Sequence, residues 1–310
     1  SDIVLRGGTF QQVLIILDGL RLNDPNTGHF NSYIPIAPAE IEKIEVLKGA
    51  ASAIYGSEAV GGVILITTKT FASKTGIRKK QFSMQATGGQ FGLWSINTGG
   101  FYQNKNTAIS AGLLSNNSTG QLQRGTRGYF NNNTISVSVS HQVNKYWQFS
   151  LRSAYDVRDF AAQNFYTTYT SDTAKEKVQS FWNQLNLTFQ KEKNKIVVDA
   201  GYKKAKDEYL YNSGSAPNKN NSTLFQFAAR HQHDFTKSTE LTTGIQFQNK
   251  QITSNDRGNH NLSQFAAFVI LNQSIGKHIF LSPAIRLDQT RHSGTELIPQ
   301  LNFSYRKKNI

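Results

Sequence analysis

The sequence predicts a mainly β protein in which a small N-terminal unit precedes about twelve antiparallel strands of a transmembrane β-barrel. Three observations predict it. Apolar residues recur at every second position in one segment after another. The connections alternate between short lysine-bearing turns and longer polar stretches. No apolar run approaches the ~20 residues that a spanning helix requires, whereas a spanning strand needs only ~9–11 with half of them apolar.

The N-terminal unit opens on Val13-Leu-Ile-Ile-Leu17, a continuous apolar run that fits a strand buried on both faces. Asp18-Gly19 is a two-residue hairpin signal, and Leu20-Arg21-Leu22 returns as the partner strand. An elaborate loop follows, Asn23-Asp-Pro-Asn-Thr-Gly-His-Phe-Asn31, presented on that rigid base. Further on, Gly49-Ala-Ala-Ser-Ala53 has minimal side chains that suit a short helical turn pressed against a wall. Val63–Ile66 then reads as a second strand apolar on both faces.

From Phe82 onward the period is two. Phe82/Met84/Ala86, the segment Leu93 to Tyr102, Ile109/Ala111/Leu113, Ile135/Val137/Val139 and Phe149/Leu151/Tyr155 begin the series. Leu185/Leu187/Phe189, Ile196/Val198/Ala200/Tyr202, Phe225/Phe227/Ala229 and Leu241/Thr243/Ile245/Phe247 continue it. Phe265/Ala267/Val269/Leu271, Ile279/Leu281/Ile285/Leu287 and Leu297/Leu301/Phe303/Tyr305 complete it. The interleaved residues are polar, among them Ser136, Ser138, Asn186, Thr188, Gln246, Gln248, Arg286 and Asp288, so one face is apolar and the other is suited to water. A soluble sandwich would alternate too, so the connections arbitrate.

Short turns fall at 103–106, 143–146, 191–195, 236–239, 276–278 and 306–309. Each carries a lysine (Lys105, Lys145, Lys193, Lys237, Lys277, Lys307) and has an aromatic within three residues. Between them lie longer polar connections at 115–133, 161–177, 211–222 and 255–261. Short turns at one end, long loops at the other and aromatics level with the turns describe a membrane barrel. Lipid offers no hydrogen bonds, so such strands must close on themselves with apolar side chains outward.

Composition agrees with this and excludes several classes. The chain is polar overall, 38% hydrophobic with a mean hydropathy of −0.45, yet its 20 Phe, 12 Tyr and 3 Trp are foreign to disorder. It has no cysteine, so disulfides and thiolate metal sites are excluded. The net charge of +14 is uneven: residues 1–77 carry 6 Lys+Arg against 7 Asp+Glu, and 78–310 carry 28 against 13. Those basic residues are spread over the whole region instead of clustering on one motif, which argues against nucleic acid as a partner. No nucleophile elbow, phosphate loop or His-Glu-Xaa-Xaa-His is present, so no enzyme, catalytic residue, cofactor or metal is expected. His231 and His233 share a strand face just before a short turn and read as interface residues.

Ile41-Glu-Lys-Ile-Glu-Val-Leu-Lys-Gly-Ala-Ala-Ser-Ala-Ile-Tyr-Gly-Ser57, followed by Val60-Gly-Gly-Val-Ile-Leu-Ile-Thr-Thr68 and preceded by Leu5-Arg-Gly-Gly8, closely resembles the plug domain of TonB-dependent outer-membrane transporters. The resemblance implies that residues 1–77 are the C-terminal part of a small α+β plug domain. Residues 78–310 would then be the N-terminal half of an outer-membrane barrel of about 22 strands. It further implies a signal peptide, a TonB box and the first half of the plug ahead of Ser1, and about ten more strands after Ile310.

What the family does is carried over as expectation: active uptake of a scarce nutrient, powered by a TonB-type energy-coupling protein that pairs with a strand ahead of the plug. The loop after the Asp-Gly hairpin would then be the plug apex. There Asn23, Asp24, Asn26, Thr27, His29 and Asn31 offer donors and acceptors to substrate, and Phe30 a stacking face. Asp24, Pro25 and Asn26 equally suit the shaping of the turn. Arg6 and Lys48 are the expected plug-to-barrel contacts, although the family often has Arg at the position of Lys48, and Lys makes only point-charge contacts. A corrinoid or ferric siderophore is the favoured substrate. A glycan importer of the same family is the alternative, and a basic soluble nucleic-acid-binding β protein the soluble one.

Overall fold

A computed structural model of the chain describes residues 3–5, 7, 9–24, 32–48, 55–56, 59, 61–123, 125–291 and 294–306. The N-terminal part is a four-stranded sheet of β1 (Val13–Leu17), β2 (Leu20–Arg21), β3 (Ile41–Lys48) and β4 (Gly62–Thr68), in the order β2-β1-β4-β3. β1 and β2 form the hairpin expected from Asp18-Gly19, with Leu17 opposite Leu20 and both turn residues at positive φ (46° and 99°). Gly19 is needed twice over, because a Cβ there would also lie 3.1 Å from a carboxylate oxygen of Asp199 on the facing wall. β4 runs parallel to β1, from Val13 beside Gly62 to Leu17 beside Ile66.

All five residues of β1 are buried, as the apolar run requires. One face packs as Leu14 and Ile16 with Ala59 and Val63. The other packs as Ile15, Leu17, Leu20, Leu22, Ile36 and Ile66 against Ala154 and Trp182, which belong to the large sheet. The small sheet therefore completes its core on the wall beside it. It has 3-10 turns at Phe10–Gln12 and Pro38–Glu40, and the expected turn at 49–53 lies outside the described residues.

The second sheet has twelve strands. They are β5 (Ile77–Gly88), β6 (Trp94–Lys105), β7 (Thr107–Ser118), β10 (Phe130–Gln142), β11 (Trp147–Ala161), β12 (Lys175–Lys191), β13 (Asn194–Leu210), β14 (Asn218–Asp234), β15 (Thr239–Ser254), β16 (Gly258–Ile275), β17 (Ile279–Thr290) and β18 (Gly294–Tyr305). Each pairs antiparallel with its neighbour in the chain. A two-stranded ribbon, β8 (Leu122–Gln123) with β9 (Thr126–Arg127), sits in the connection after β7. Every strand expected from the two-residue period is present, and β5 and β18 are the sheet's two edges.

The alternation sorts by environment. On β10, Ile135 and Val137 are 57% and 50% exposed on the outside, while Ser136, Ser138 and Ser140 are buried inside. Across the strands, Leu151, Leu185, Ala200, Phe227, Phe247 and Phe265 stand side by side as one outward apolar row. The inner face departs from expectation: where the small sheet lies against it, the polar side chains are buried on protein instead of facing water. β16 departs further, with Ala266, Phe268 and Ile270 buried inward as well as apolar residues outward. Gly244 on β15 makes room for the Phe268 ring, which a Cβ would strike.

The turns also divide as expected, with one correction. Residues 105–107, 143–146, 192–193, 235–238 and 276–278 connect strands at one end. Trp147 and Phe189 (centroids 4.8 Å apart), Tyr146, Phe235 and Tyr305 cluster there. The connection expected at 255–261 is only a three-residue turn, because Ser254 pairs with Gly258 and the polar residues beyond continue the strands. Outside the hydrocarbon layer, strands need no apolar period to persist. That is why β12, β13 and β14 reach 17 residues each, beyond the ~9–11 that span a bilayer.

Candidate functional site

The candidate site is the seam between the small sheet and the inner wall, continued by a cluster of aromatic rings toward the end opposite the short turns. At its centre Asp18, from the β1–β2 turn, meets Arg152 of β11 at 2.5 Å, and neither side chain is exposed. Thr68, at the end of β4, donates its N–H and its hydroxyl to the two oxygens of Asp18, both at 2.8 Å. Arg152 donates to the Thr68 hydroxyl oxygen at 2.7 Å and lies over the ring of Phe71 at 4.9 Å. A charge pair this deep is costly to desolvate, and the bonds of Thr68 to both of its members offset part of that cost.

Side-chain amides of the wall finish the hydrogen bonding of the small sheet. The amide of Gln226 accepts from the N–H of Arg21 at 3.3 Å and donates to its carbonyl at 2.7 Å, as a neighbouring strand would. Gln184 donates to the carbonyl of Asp18 at 2.8 Å. Lower down, fully buried Glu40 accepts from the N–H of Ala37 at 3.0 Å and from the hydroxyl of Ser136. Ser138 donates to the hydroxyl of Thr70 at 2.9 Å.

Above the clamp the apical loop begins. Asn23 is buried and turned inward, accepting from the N–H of Ile15 at 3.1 Å and donating to the carbonyl of Val13 at 3.2 Å. Asp24 forms an ion pair with Lys203 of β13 at 3.0 Å. The structure thus assigns Asn23 to bracing the loop and Asp24 to a bond with the wall. Asn26, Thr27, His29, Phe30 and Asn31 lie outside the described residues, as does Arg6. Lys48 ends β3 with its backbone opposite Gly62, and its side chain is likewise outside the description.

Where the chain re-emerges, Tyr33 lies over the guanidinium of Arg158 at 4.2 Å and edge-on to Phe160 at 6.4 Å. Arg158 is itself fixed by Asp156 at 2.9 Å. On the facing side Tyr166 packs edge-on to Phe165 at 4.8 Å and to Tyr209 at 5.1 Å, and donates its hydroxyl to Glu176 at 3.1 Å. Burial, and after it the charge of Glu176, pushes the hydroxyls of both Tyr33 and Tyr166 well above the ordinary range, so both stay neutral donors. The cluster brings ring faces and hydroxyl donors from the small sheet and from the wall together.

The sequence reading singled out the loop and missed the wall. Tyr33, Phe160, Tyr166 and Tyr209 carry no motif, and Arg152 and Gln184 look like ordinary inward polar residues of alternating strands. The inward charges Arg152, Asp199 and Lys203 were the available signal, because a charge at a position facing a packed lumen needs a partner. His231 and His233 face outward at the short-turn end, and both bond to the side-chain oxygen of Asn194, at 3.0 and 2.9 Å.

Residues 1–63 match the family described as the TonB-dependent Receptor Plug Domain. The chain is 38% identical over 76 residues to the vitamin B12 transporter BtuB of Vibrio vulnificus, a match covering 24% of this chain and 12% of that protein. It is 44% identical over 68 residues to the hemin receptor of Yersinia pestis, covering 22% and 10%. In structure it superposes on the siderophore receptor PirA of Acinetobacter baumannii with a TM-score of 0.79 at 17% identity, over 99% of this chain and 53% of that one. The chain thus spans about half the length of that solved receptor, and its matches span about a tenth of the first curated relatives. Residues 1–63 thus carry the sequence of a TonB-dependent receptor plug, and the chain as a whole, a plug-like sheet seated on a wall of twelve meandering strands with an outward apolar face, has the fold of the outer-membrane receptors of that kind.

Proposed function

We propose that this receptor takes up a scarce nutrient across the outer membrane, a corrinoid or a ferric siderophore, in a step driven by a TonB-type protein. The observation that carries the reading is Tyr33. It belongs to the N-terminal sheet's apical segment yet stacks on Arg158 and Phe160 of the wall, beside the ring cluster of Tyr166 and Tyr209. A ligand wedged among these rings changes the contacts of the plug as it binds, which is how occupancy outside could be reported inside. Relatives named as a vitamin B12 transporter, a hemin receptor and siderophore receptors favour a large ligand that such rings can hold.

In this reading the plug occupies residues 1–77 and the barrel residues 78–310. Asn26, Thr27, His29, Phe30 and Asn31 reach up to the ligand, Asn23 and Asp24 fix the base of their loop, and Arg6 and Lys48 add contacts between plug and barrel. The coupling protein pulls on the plug from the periplasmic side, and the seam at Asp18, Arg152 and Gln226 is what the pull must part. The test is equilibrium binding of cyanocobalamin, ferric catecholate and ferric hydroxamate chelates to the purified receptor, with uptake measured in cells with and without TonB. Tight binding of one of them and TonB-dependent uptake are the expected results. Binding of an oligosaccharide and of none of these would replace the substrate assignment with the glycan one.

A further inference from the structure

Part of the positive charge of the C-terminal region stands on the outside of the sheet, on β12 to β14 toward the end away from the short turns. The outward apolar row through Leu185, Ala200 and Phe227 is followed, toward the end away from the short turns, by a row containing Tyr202 and Phe225. Directly above Tyr202, on the same face of β13, come Lys204 and then Lys206, both exposed. Phe181 stands beside Lys204, and Gln179 and Asn221 flank Lys206. One row higher, Lys177 stands next to Glu208, which Lys219 holds at 3.8 Å. Lys204 and Lys206 have no ion pair among the described residues.

That height is the headgroup layer. Aromatic side chains such as Tyr202 mark the edge of the hydrocarbon, and long lysine stems carry their ammonium groups outward from it. Two lysines at alternate positions of a strand lie about 6–7 Å apart on one face, a spacing at which both ammonium groups can reach one phosphate. The neighbours Gln179, Asn221 and Thr223 are amides and a hydroxyl, which suit sugar hydroxyls better than the bare glycerol of a phospholipid.

We propose that Lys204 and Lys206, with Gln179 and Asn221 beside them, form a binding site on the outer wall of the barrel for the phosphorylated sugar headgroup of an outer-leaflet glycolipid. The site is independent of the nutrient reading, since it lies on the opposite side of the wall from the aromatic cluster. It would anchor the tilt of the long strands β12 to β14 against the leaflet that surrounds them.

The test uses the receptor purified from outer membranes into detergent. Binding is followed by native mass spectrometry with three probes: an acylated diglucosamine lipid bearing two phosphates, the same lipid without them, and inorganic phosphate. The expected result is that Lys204→Gln with Lys206→Gln weakens binding of the phosphorylated lipid by about tenfold or more. Lys145→Gln with Lys191→Gln, at the short-turn end, should leave it unchanged, and arginine at 204 and 206 should restore it. The dephosphorylated lipid should bind the native protein as weakly as the phosphorylated one binds the glutamine variant. Equal affinity of native and glutamine proteins, equal binding of the two lipids, or displacement of the lipid by equimolar inorganic phosphate would each overturn the site.

Discussion

Asp18 and Arg152, 134 residues apart in the chain, meet with both side chains wholly buried, and this contact ties the turn of the plug hairpin to the barrel wall. Removing one partner strands the other charge without water. Asp18→Ala or Arg152→Ala should therefore destabilise the protein by about 3–5 kcal/mol, whereas Asp18→Leu with Arg152→Met should recover most of the loss. Urea unfolding of the purified receptor measures all three. A double variant no better than the singles would show that the pair's worth lies in its bonds to Thr68.

The outward face makes a separate prediction. Val137→Arg should cost about 2–4 kcal/mol if Val137 stands near the bilayer midplane. A polar inner face open to water would leave Ser138→Arg mild, but Ser138 is buried against Thr70, so an arginine there overpacks the seam and should cost about 1–3 kcal/mol. Ser138→Ala, which only loses a hydrogen bond, should stay near 1 kcal/mol. Folding yields and unfolding in lipid would check the order.

The ends of the strands can be assigned to the two sides of the membrane. Lys145 lies in the turn after β10 and Asn218 at the far end of β14. Single cysteines at these positions should react with an impermeant maleimide from opposite sides, Asn218→Cys in intact cells and Lys145→Cys only after the outer membrane is opened. Labelling of both from outside would refute the orientation.

The apical loop is tested by affinity. His29→Ala with Phe30→Ala should weaken ligand binding by about ten- to a hundredfold without lowering the unfolding temperature, because turn chemistry calls for neither a histidine nor a phenylalanine. Asn23→Ala should do the reverse, since its amide serves the backbone of β1. Tyr33→Ala should lower both, as its ring joins the aromatic cluster and packs on the wall. Unchanged affinity in the His29 and Phe30 variant would mean that the wall alone holds the ligand.

The sequence made the strands legible because a membrane imposes one rule on every outward position, and Ile135/Val137/Val139 obey it as plainly as Phe225/Phe227/Ala229. The hairpin at Asp18-Gly19 was equally readable, since few residue pairs accept two positive φ angles. The partners inside the barrel were not readable. Ser136, Ser138, Gln184 and Gln226 look like any water-facing polar residues, and only the position of the plug decides that they are buried. Arg152 and Asp18 could not be matched because no local spacing connects strands so far apart in the chain. The short turn at 255–257 was obscured for another reason: above the hydrocarbon, Gly258 to Asn261 are polar on every face and still strand.

The amide of Gln226 stands in for a missing strand along β2. A true strand ladder shears only when many backbone bonds fail at once, in a single high-force event. Bonds made by separate glutamine and serine side chains can be exchanged for water one after another, each at little net free energy. The plug is thus fastened to its wall like a strip of hook-and-loop fabric: secure against thermal motion over the whole area, yet peelable from one end by a modest, sustained tug.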